Sequence, residues 1–404
     1  MRYDTVIIGG GLSSLVCGIE LARGGKSVAL VATGHSALHF SSGSFGLYNA
    51  AEPLKAITSL EESHPYSKLE ADSLESLAAR ATEILNVAGI ATNGDVAANH
   101  YIMTPTGSLR QCWLSLEGTL TSADGKGFDF ASAAIFAPEG FLDFYTEFVA
   151  DTLRRAGVRT SMHSFSLPEI AVRRNNPTEL RSVSVARALD KEENLLALSA
   201  IISREAKDAE VVVLPAVLGF ERTDVHARLE KMVDKRIVVV PTLPPSVEGI
   251  KMERALRRTF ERMGGVIFAG HTVDSYTIED GLVVSVATSK DVKLEADEFV
   301  LASGSFIGGG LVSTKDSIVE PLFGAELYVA EGEFTSRNLY DAQPFMSAGV
   351  VVDSMFRLSV SGAVVENLYA CGAVLSGFNP VKEGCGAGVA MLTALKVADN
   401  IINR

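Results

Sequence analysis

The sequence has little cysteine, and its cysteines are not arranged to hold a metal. Cys17, Cys112, Cys371 and Cys385 lie far apart in the 404-residue chain, and no Cys-x-x-Cys pair occurs. This spacing excludes the usual local iron–sulfur and structural zinc motifs. The thiols fit a reducing compartment. We expect no metal site.

The chain is also short of positive charge. It has 36 lysines and arginines against 49 aspartates and glutamates, which gives a net charge of −13. Proteins that bind nucleic acids or anionic lipid surfaces use basic residues to neutralise phosphates. The composition therefore disfavours both kinds of partner, and we expect no nucleic acid.

Long hydrophobic runs are missing as well. No stretch reaches the roughly 20 apolar residues of a membrane-spanning helix. The apolar segment 6–22 is interrupted by glycines 9–11 and by Glu20, and Asp4 precedes it. A signal peptide would instead begin with basic residues and continue as an unbroken apolar run. We expect a soluble, cytoplasmic protein without direct membrane insertion.

What the sequence does have is a strand–turn–helix pattern near its start. Residues 4–8 form a β-branched apolar run, typical of a buried parallel strand, and glycines 9–11 follow at once. Apolar residues then recur at helical spacing over 12–23, and a second apolar run occupies 27–31. The pattern predicts a βαβ unit of about 30 residues.

The glycines of this unit match a dinucleotide fingerprint, Gly9-x-Gly11-x-x-Ser14. The first glycine permits a tight turn, and the second lets a diphosphate approach free N–H groups at the positive end of the helix dipole. Ser14 replaces the third glycine but is small enough for close packing. At Thr33, where a carboxylate normally holds the adenosine ribose, there is no acid. Either another group holds the adenosine, or the ligand lacks that half.

A second glycine-bearing segment lies much later in the chain. The apolar run 299–302 leads into Ser303 and Gly304. A strand that enters Ala-Ser-Gly is similar to the Ala-Thr-Gly segment of two-dinucleotide-type flavoproteins, which returns beside the first nucleotide turn. Alone this signal is weak, and its position after the fingerprint raises its value.

A third segment precedes the last helix. Apolar residues 367–371 run into Gly372 and Ala373, and glycine-rich residues 383–388 follow. In flavoproteins of this architecture, the helix points its N-terminus at the flavin. An acid commonly follows the strand glycine, but here Ala373 takes its place. Cys385 could be a redox thiol, and a small residue that fills a tight loop is the favoured interpretation. Three ordered segments favour a flavoprotein over an NAD dehydrogenase, which needs only the first.

Longer strings of residues carry a more specific resemblance. The chain resembles the B-subunit family of the bacterial anaerobic glycerol-3-phosphate dehydrogenase. The similar segments are 1–11, 36–44, 174–176, 178–179, 190–194, 241–247 and 301–306. The strings at 36–44 and 241–247 are far more specific than the glycine fingerprint.

The resemblance implies a role in a complex. In that family, the A- and B-subunits form a soluble catalytic pair, and the iron–sulfur C-subunit anchors the pair to the inner membrane and passes electrons towards menaquinone. The reaction oxidises sn-glycerol 3-phosphate to dihydroxyacetone phosphate. The A-subunit carries FAD and is the expected seat of substrate oxidation, whereas the B-subunit is assigned FMN. We therefore expect a flavin, and the resemblance narrowly favours FMN. FAD is the alternative, because the diphosphate loop suits FAD.

The candidate site residues come from the motifs and from the segment 36–46. This segment offers backbone and hydroxyl donors and is expected near the redox edge of the flavin. Within it, His39 is a weak catalytic candidate, and a hydrogen-bonded structural histidine is favoured; the catalytic residue is otherwise unknown. The expected cofactor-binding residues are Gly9, Gly11, Leu12, Ser13, Ser14, Thr33, Ser41, Ser42, Gly43, Ser44, Ser303, Gly304, Gly372, Ala373, Gly384, Cys385, Gly386, Ala387 and Gly388.

The predicted architecture is an α/β fold of the two-dinucleotide flavoprotein type, a Rossmann-like FAD/NAD(P)-binding fold with an inserted cap domain. Residues 1–95 and 250–404 would form the flavin-binding domain, and residues 96–249 the cap or interaction domain. A polar cluster at 174–181 could contact an anionic substrate or a partner, or only cap a helix.

Two other functions stay open. The first is a stand-alone flavin oxidoreductase of the fumarate-reductase-like class, whose cap closes over an organic acid or ketone. The second is a non-catalytic assembly protein that keeps a degenerate flavoprotein fold, an idea motivated by Ser14, Thr33 and Ala373.

Overall fold

The computed structural model describes residues 1–173, 176, 178–329 and 334–404. The α-helices of these residues are α1 (Leu12–Arg23), α2 (Pro53–Ile57), α3 (Leu74–Val87), α4 (Thr146–Arg155), α5 (Pro168–Arg173), α6 (Ser182–Leu189), α7 (Glu192–Glu205), α8 (Val225–Val233), α9 (Val247–Arg262) and α10 (Gly386–Ile402). Single 3₁₀ turns occupy Ala37–Phe40, Pro65–Lys68, Ala71–Ser73, Phe306–Gly308, Pro344–Ser347 and Gly372–Val374.

The strands alternate with these helices through most of the chain. They are β1 (Arg2–Ile8), β2 (Val28–Ala32), β3 (Ser44–Phe45), β4 (Thr92–Asn93), β5 (His100–Met103), β6 (Leu109–Cys112), β7 (Leu114–Leu116), β8 (Thr121–Ser122), β9 (Ser132–Pro138), β10 (Arg159–Phe165), β11 (Val211–Pro215), β12 (Arg236–Val240), β13 (Val266–Ala269), β14 (Val273–Glu279), β15 (Leu282–Thr288), β16 (Lys293–Leu301), β17 (Val312–Ser313), β18 (Ile318–Val319), β19 (Leu327–Tyr328), β20 (Gly349–Val350), β21 (Arg357–Val360) and β22 (Ala363–Ala370).

The larger sheet has eight strands, which come from residues 2–32 and 266–370. Its parallel part runs β13-β2-β1-β16-β22, while β14, β15 and β21 add antiparallel strands. In register, Val6 lies between Ala29 of β2 and Phe299 of β16. The inner strands are buried and rich in β-branched residues because helices cover a parallel sheet on both faces. Helix α1 packs against α9 and α10.

A second parallel sheet is built from the middle of the chain, in the order β10-β9-β11-β12. Every residue of β9 and β11 is buried. Helices α4, α7 and α8 pack against this sheet or against one another. The short apolar runs 211–214 and 237–240 predict β11 and β12 from the sequence, whereas β9, β10 and the strand order are not predicted by it.

Each parallel sheet has its own hydrophobic cluster, and short antiparallel strands lie in the chain between them. One small sheet has the order β3-β7-β4, and another has the order β6-β5-β8. The Leu120 N–H donates to Val239 O at 2.8 Å, which attaches this region to the second parallel sheet. The division of the chain at residues 95 and 250 stays a prediction. No helix among the described residues is long and apolar enough to cross a membrane.

Candidate functional site

The first glycine turn lies where the strand order of the larger sheet reverses, between β1 and β16. Gly9 has φ +136°, and a Cβ there would overlap the carbonyl oxygen of Ala302. The Gly9 N–H donates to Val31 O at 2.9 Å, and the Ala302 N–H donates to Ile8 O at 2.8 Å. These bonds draw the ends of three strands together. An L-residue at position 9 would therefore meet both backbone strain and a steric clash.

Gly11 is different, because it faces open space. It is the N-cap of α1 and has no side-chain cap, and a Cβ built on it would meet no atom within 4 Å. The first turn of α1, which starts at the half-buried Leu12, carries no acidic side chain. Free N–H groups and the helix dipole thus point into a space that an anion can enter.

Ser14 takes the place of the third glycine without blocking the turn. Its side chain is fully buried, and its hydroxyl donates to Ala302 O at 3.3 Å. The neighbouring Ser13 is also buried, and a Cβ on Gly372 would overlap its hydroxyl. The serines therefore pack the first helix against the two returning segments.

The second segment leaves a polar atom without a partner. The Ser303 hydroxyl is buried and forms no hydrogen bond with the described residues. Gly304, with φ +84°, follows it and lets the chain turn away from the sheet. This orphaned buried hydroxyl directly follows Ala302, which packs against Gly9, and it fits a bound polar ligand because an unsatisfied buried group is costly.

The third segment meets α10 at the same edge of the sheet. Gly372 has φ +80°, and its N–H donates to the Thr393 hydroxyl at 3.0 Å. Ala373 lies in the 3₁₀ turn that follows. The sequence offered no signal for Thr393, because the residue lies inside the apolar first part of α10.

The end of β2 supplies no acid for an adenosine ribose. Thr33 is exposed, and the Thr272 hydroxyl donates to the Thr33 hydroxyl at 3.2 Å. Glu253 of α9 contacts the residues that follow β2, but its oxygens already accept bonds from Ser36, His39 and Arg257. A hydroxyl, rather than a carboxylate, is therefore available at this strand end.

The serine segment and the start of α10 enclose a cleft of about 220 Å³. Its lining residues are Phe40, Ser41, Ser42, Ser44, Gly46, Arg110, Gln111, Pro380, Gly384, Gly386 and Ala387. The Ser42 and Ser44 hydroxyls are 2.7 Å apart. Gly43, with φ +77°, packs on Leu116 and forms the bend between them.

Two of these segments pass each other backbone to backbone. A Cβ on Gly46 would overlap Gly384 O, and the Gly388 N–H donates to Gly46 O at 2.9 Å. The structure thus brings the predicted serines to the N-terminus of α10. Arg110 and Gln111 complete the cleft, and sequence reasoning missed both, because the pairing of β5 with β6 and of β3 with β7 brings them there.

His39 lies outside the cleft lining and contacts α9 instead. Its Nε2 is 2.9 Å from Glu253, and its ring stacks on His35 with ring centroids 4.6 Å apart. Burial lowers the pKa of His39, and the carboxylate of Glu253 opposes that shift. The Ser246 N–H, at the start of α9, donates to His39 O at 2.8 Å. These contacts are those of a histidine that fixes a loop on a helix, and a catalytic role for His39 is not supported by them.

A second histidine, which the sequence did not single out, fixes the loop before α10. His64 Nε2 is 3.1 Å from Glu383, and His64 Nδ1 accepts from the Tyr66 N–H at 3.0 Å. Burial of Glu383 favours a higher pKa, but hydrogen bonds from His64 and from the Asn379 N–H outweigh burial and lower the pKa of Glu383. Burial raises the pKa of the fully buried Cys385 thiol well above its usual value, and Glu383 adds to the shift. Cys385 is therefore a protonated, packed residue and not a reactive thiolate.

Two groups of metal-ligand types come close together: His35, His39 and Glu253, and His64, Glu383 and Cys385. In the second group, a backbone N–H can only donate, so His64 Nδ1 is the acceptor and Nε2 carries the proton. That proton points at Glu383 and occupies the position a metal ion would need. We find no argument for an ion in this group. Arg174 and Asn175 of the predicted polar cluster lie outside the described residues.

A parallel sheet whose reversal point is lined by open glycine turns is the arrangement of a nucleotide-binding flavoprotein. The family model described as "FAD binding domain" matches residues 4–389. The anaerobic glycerol-3-phosphate dehydrogenase B-subunit of Pectobacterium atrosepticum is 38% identical over 415 residues, covering 100% of this chain and 99% of that protein. The protein of that name from Yersinia pestis is 38% identical over 418 residues, with the same coverage. The chain belongs to the B-subunit family of anaerobic glycerol-3-phosphate dehydrogenase.

These matches confirm the predicted two-dinucleotide-type flavoprotein fold and the expected family. They support a flavin cofactor, specifically FAD, and give no support to the preference for FMN. A solved structure, 3-ketosteroid delta1-dehydrogenase from Sterolibacterium denitrificans, aligns with a TM-score of 0.44 at 11% identity over 100% of this chain and 99% of that one. That likeness is too low to bear on the chemistry of this chain.

Proposed function

We propose that this chain is the flavin-carrying redox component of a quinone-linked glycerol-3-phosphate dehydrogenase complex. One observation carries the proposal: three glycine turns meet at one edge of the sheet, and the space around Gly11 at the start of α1 is open. The family to which the chain belongs agrees with it. The complex would oxidise sn-glycerol 3-phosphate to dihydroxyacetone phosphate.

We infer that the flavin is FAD. The turn at Gly9 and Gly11 is built for a diphosphate, which FAD has and FMN lacks. The N–H groups of α1 would hold that diphosphate, and the orphaned Ser303 hydroxyl would donate to the cofactor. Thr33 would offer its hydroxyl to the ribose in place of the usual acid. When bound, the flavin supplies a two-electron acceptor for an organic substrate.

The chain's own groups would position the redox edge. Gly386 and Ala387, the first residues of α10, line the cleft, and the positive end of the helix dipole favours negative charge there. Glu383, held by His64 and Asn379, keeps the preceding loop in place. Glu383 and His64 are therefore positioning residues in this proposal.

Electron transfer would continue through partner proteins. The names of the relatives mark them as one component of a multi-subunit enzyme, and we propose a catalytic A-subunit and an iron–sulfur, membrane-anchoring C-subunit as partners. Because the chain carries a net charge of −13, attachment to the inner face of the cell membrane would come through the partner rather than through anionic lipid.

Mass spectrometry of the cofactor released from purified protein tests the proposal. We expect one FAD per chain, and we expect glycerol 3-phosphate to bleach its absorbance once the partner proteins are present. Purified complex that contains no flavin in this chain would overturn the proposal. FMN in place of FAD would overturn the cofactor assignment alone.

A further inference from the structure

We propose that the cleft beside α10 contains an anion subsite, centred on Arg110, that binds the phosphate group of a small phosphate monoester. The inference rests on the proposed function, since it assigns to this chain a binding site for the same class of substrate. It concerns a place in the cleft that none of the glycine motifs predicted.

The first argument is charge. Arg110 lines the cleft, its side chain is exposed, and its guanidinium forms no ion pair with any residue that the structure describes. Although the chain has a net charge of −13, none of the residues that line the cleft is acidic. Most arginines of this protein have a carboxylate partner, such as Arg357 with Asp353 or Arg404 with Glu298. The cleft therefore has an uncompensated positive charge within a negative protein.

The second argument is that strand pairing fixes the backbone at Arg110. Arg110 pairs with Ile102 in the antiparallel pair of β5 and β6. The Gln111 amide donates to the Tyr101 hydroxyl at 2.8 Å, which orients it and leaves its second N–H free. The Ser42 and Ser44 hydroxyls, bonded to each other, lie in the same lining. Residues with charged and neutral donors thus line one cleft, and such donors are what phosphate oxygens require.

The third argument is the end of α10. Gly388 and Val389 use their N–H groups within the protein, with Gly46 and Cys385 as acceptors. Gly386 and Ala387 line the cleft, and their N–H groups have no acceptor among the described residues. The 17-residue helix adds the positive end of its dipole to the charge of Arg110. Neither feature alone would define a site, but Arg110 and the first two residues of α10 line the same cleft.

The size of the cleft suits a small occupant. Its volume of about 220 Å³ is below the roughly 300 Å³ at which pockets for drug-sized ligands begin. A phosphorylated molecule of about three carbons is within this size.

Calorimetric titration of the full flavin-loaded chain tests the subsite without turnover. The probes are sn-glycerol 3-phosphate, inorganic phosphate and, as the uncharged control, glycerol. We expect Arg110→Gln to weaken binding of glycerol 3-phosphate by at least about tenfold. Arg110→Lys should restore part of the loss, because it keeps the charge but not the two-pronged geometry. Arg154→Gln is the matched control, since Arg154 is an exposed arginine of α4 without an ion pair among the described residues.

The outcomes separate this inference from the proposed function. Inorganic phosphate should compete with glycerol 3-phosphate, and glycerol should not bind. Arg110→Gln with wild-type affinity, or glycerol that binds as tightly as its phosphate, would overturn the subsite. Arg110-dependent binding in a complex whose flavin is never reduced would leave the subsite standing and overturn the proposed function instead.

Discussion

Both parallel sheets reverse their strand order, but different kinds of residue follow the strands at the two reversal points. In the larger sheet the reversal lies between β1 and β16, and in the second sheet it lies between β9 and β11. Such a point at the carboxyl ends of the strands is where open α/β sheets usually bind ligands. The larger sheet opens into glycine turns there, with free space around Gly11.

The second sheet continues into large apolar residues. Phe141 and Phe144 follow β9, and Leu218 and Phe220 follow β11; all four are buried in the second hydrophobic cluster. Arg187 and Arg254 lie over the Phe220 ring, at 5.1 and 4.4 Å from its centroid. The strand order therefore creates the crevice, and the volume of the residues that follow the strands decides whether a ligand can enter it.

The largest effect should come from adding a methyl group at the first reversal point. Gly9→Ala forces an L-residue to φ +136° and against Ala302 O, so we expect a loss of about 3 kcal/mol or more in the free energy of unfolding. Urea unfolding measures it. Gly25→Ala is the control, because Gly25 has φ +81° but open space around it and should cost about 1 kcal/mol. Equal losses in the two variants would show that crowding at Gly9 does not matter.

At the second reversal point the expected effect is loss of packing without loss of cofactor. Leu218→Ala should cost about 2–5 kcal/mol, because it leaves a cavity in the second cluster. Leu196→Ala, at a leucine that is 51% exposed, should change stability little. Flavin content should stay at the wild-type level in both variants. A Leu218→Ala protein that is stable but free of flavin would contradict the proposed difference between the two reversal points.

The smallest effect is a pH dependence at the loop before α10. Hydrogen bonds hold the pKa of Glu383 below its usual 4.5, so the carboxylate stabilises the fold above that pH. This contribution is lost as the pH falls through the lowered pKa. Glu383→Gln should cost about 1 kcal/mol or less at pH 7, because the group is partly exposed. Urea unfolding between pH 7 and about pH 3 should show the two proteins converging in acid. A difference that grows in acid would contradict this account.

Local elements were well predicted from the sequence. The helix at 12–23 has the predicted bounds, and the strands at 4–8 and 27–31 differ from the observed ones by two residues or fewer. Apolar periodicity and glycine stops report such elements directly. The three glycine segments also meet as expected, because parallel strands bring their carboxyl ends to one edge.

The parts that were not predicted depend on contacts between distant residues. Strand β9 lies in a phenylalanine-rich stretch without clear periodicity, and only its pairing with β10 and β11 makes it a strand. Glu383 meets His64 across 319 residues. Arg110 reaches the cleft through a hairpin and through the pairing of Ser44 with Ser115. No local pattern encodes these approaches, so a sequence read alone could not place them.

The flavin content of Gly11→Val tests the central claim most directly. Because nothing lies within 4 Å of a Cβ at Gly11, the substitution should change stability by no more than about 1 kcal/mol. It should nevertheless block the diphosphate and reduce bound flavin to less than about a tenth of the wild-type amount. Gly127→Val, at a glycine of the middle region that is equally open, should retain full flavin. A Gly11→Val protein with one flavin per chain would contradict the account.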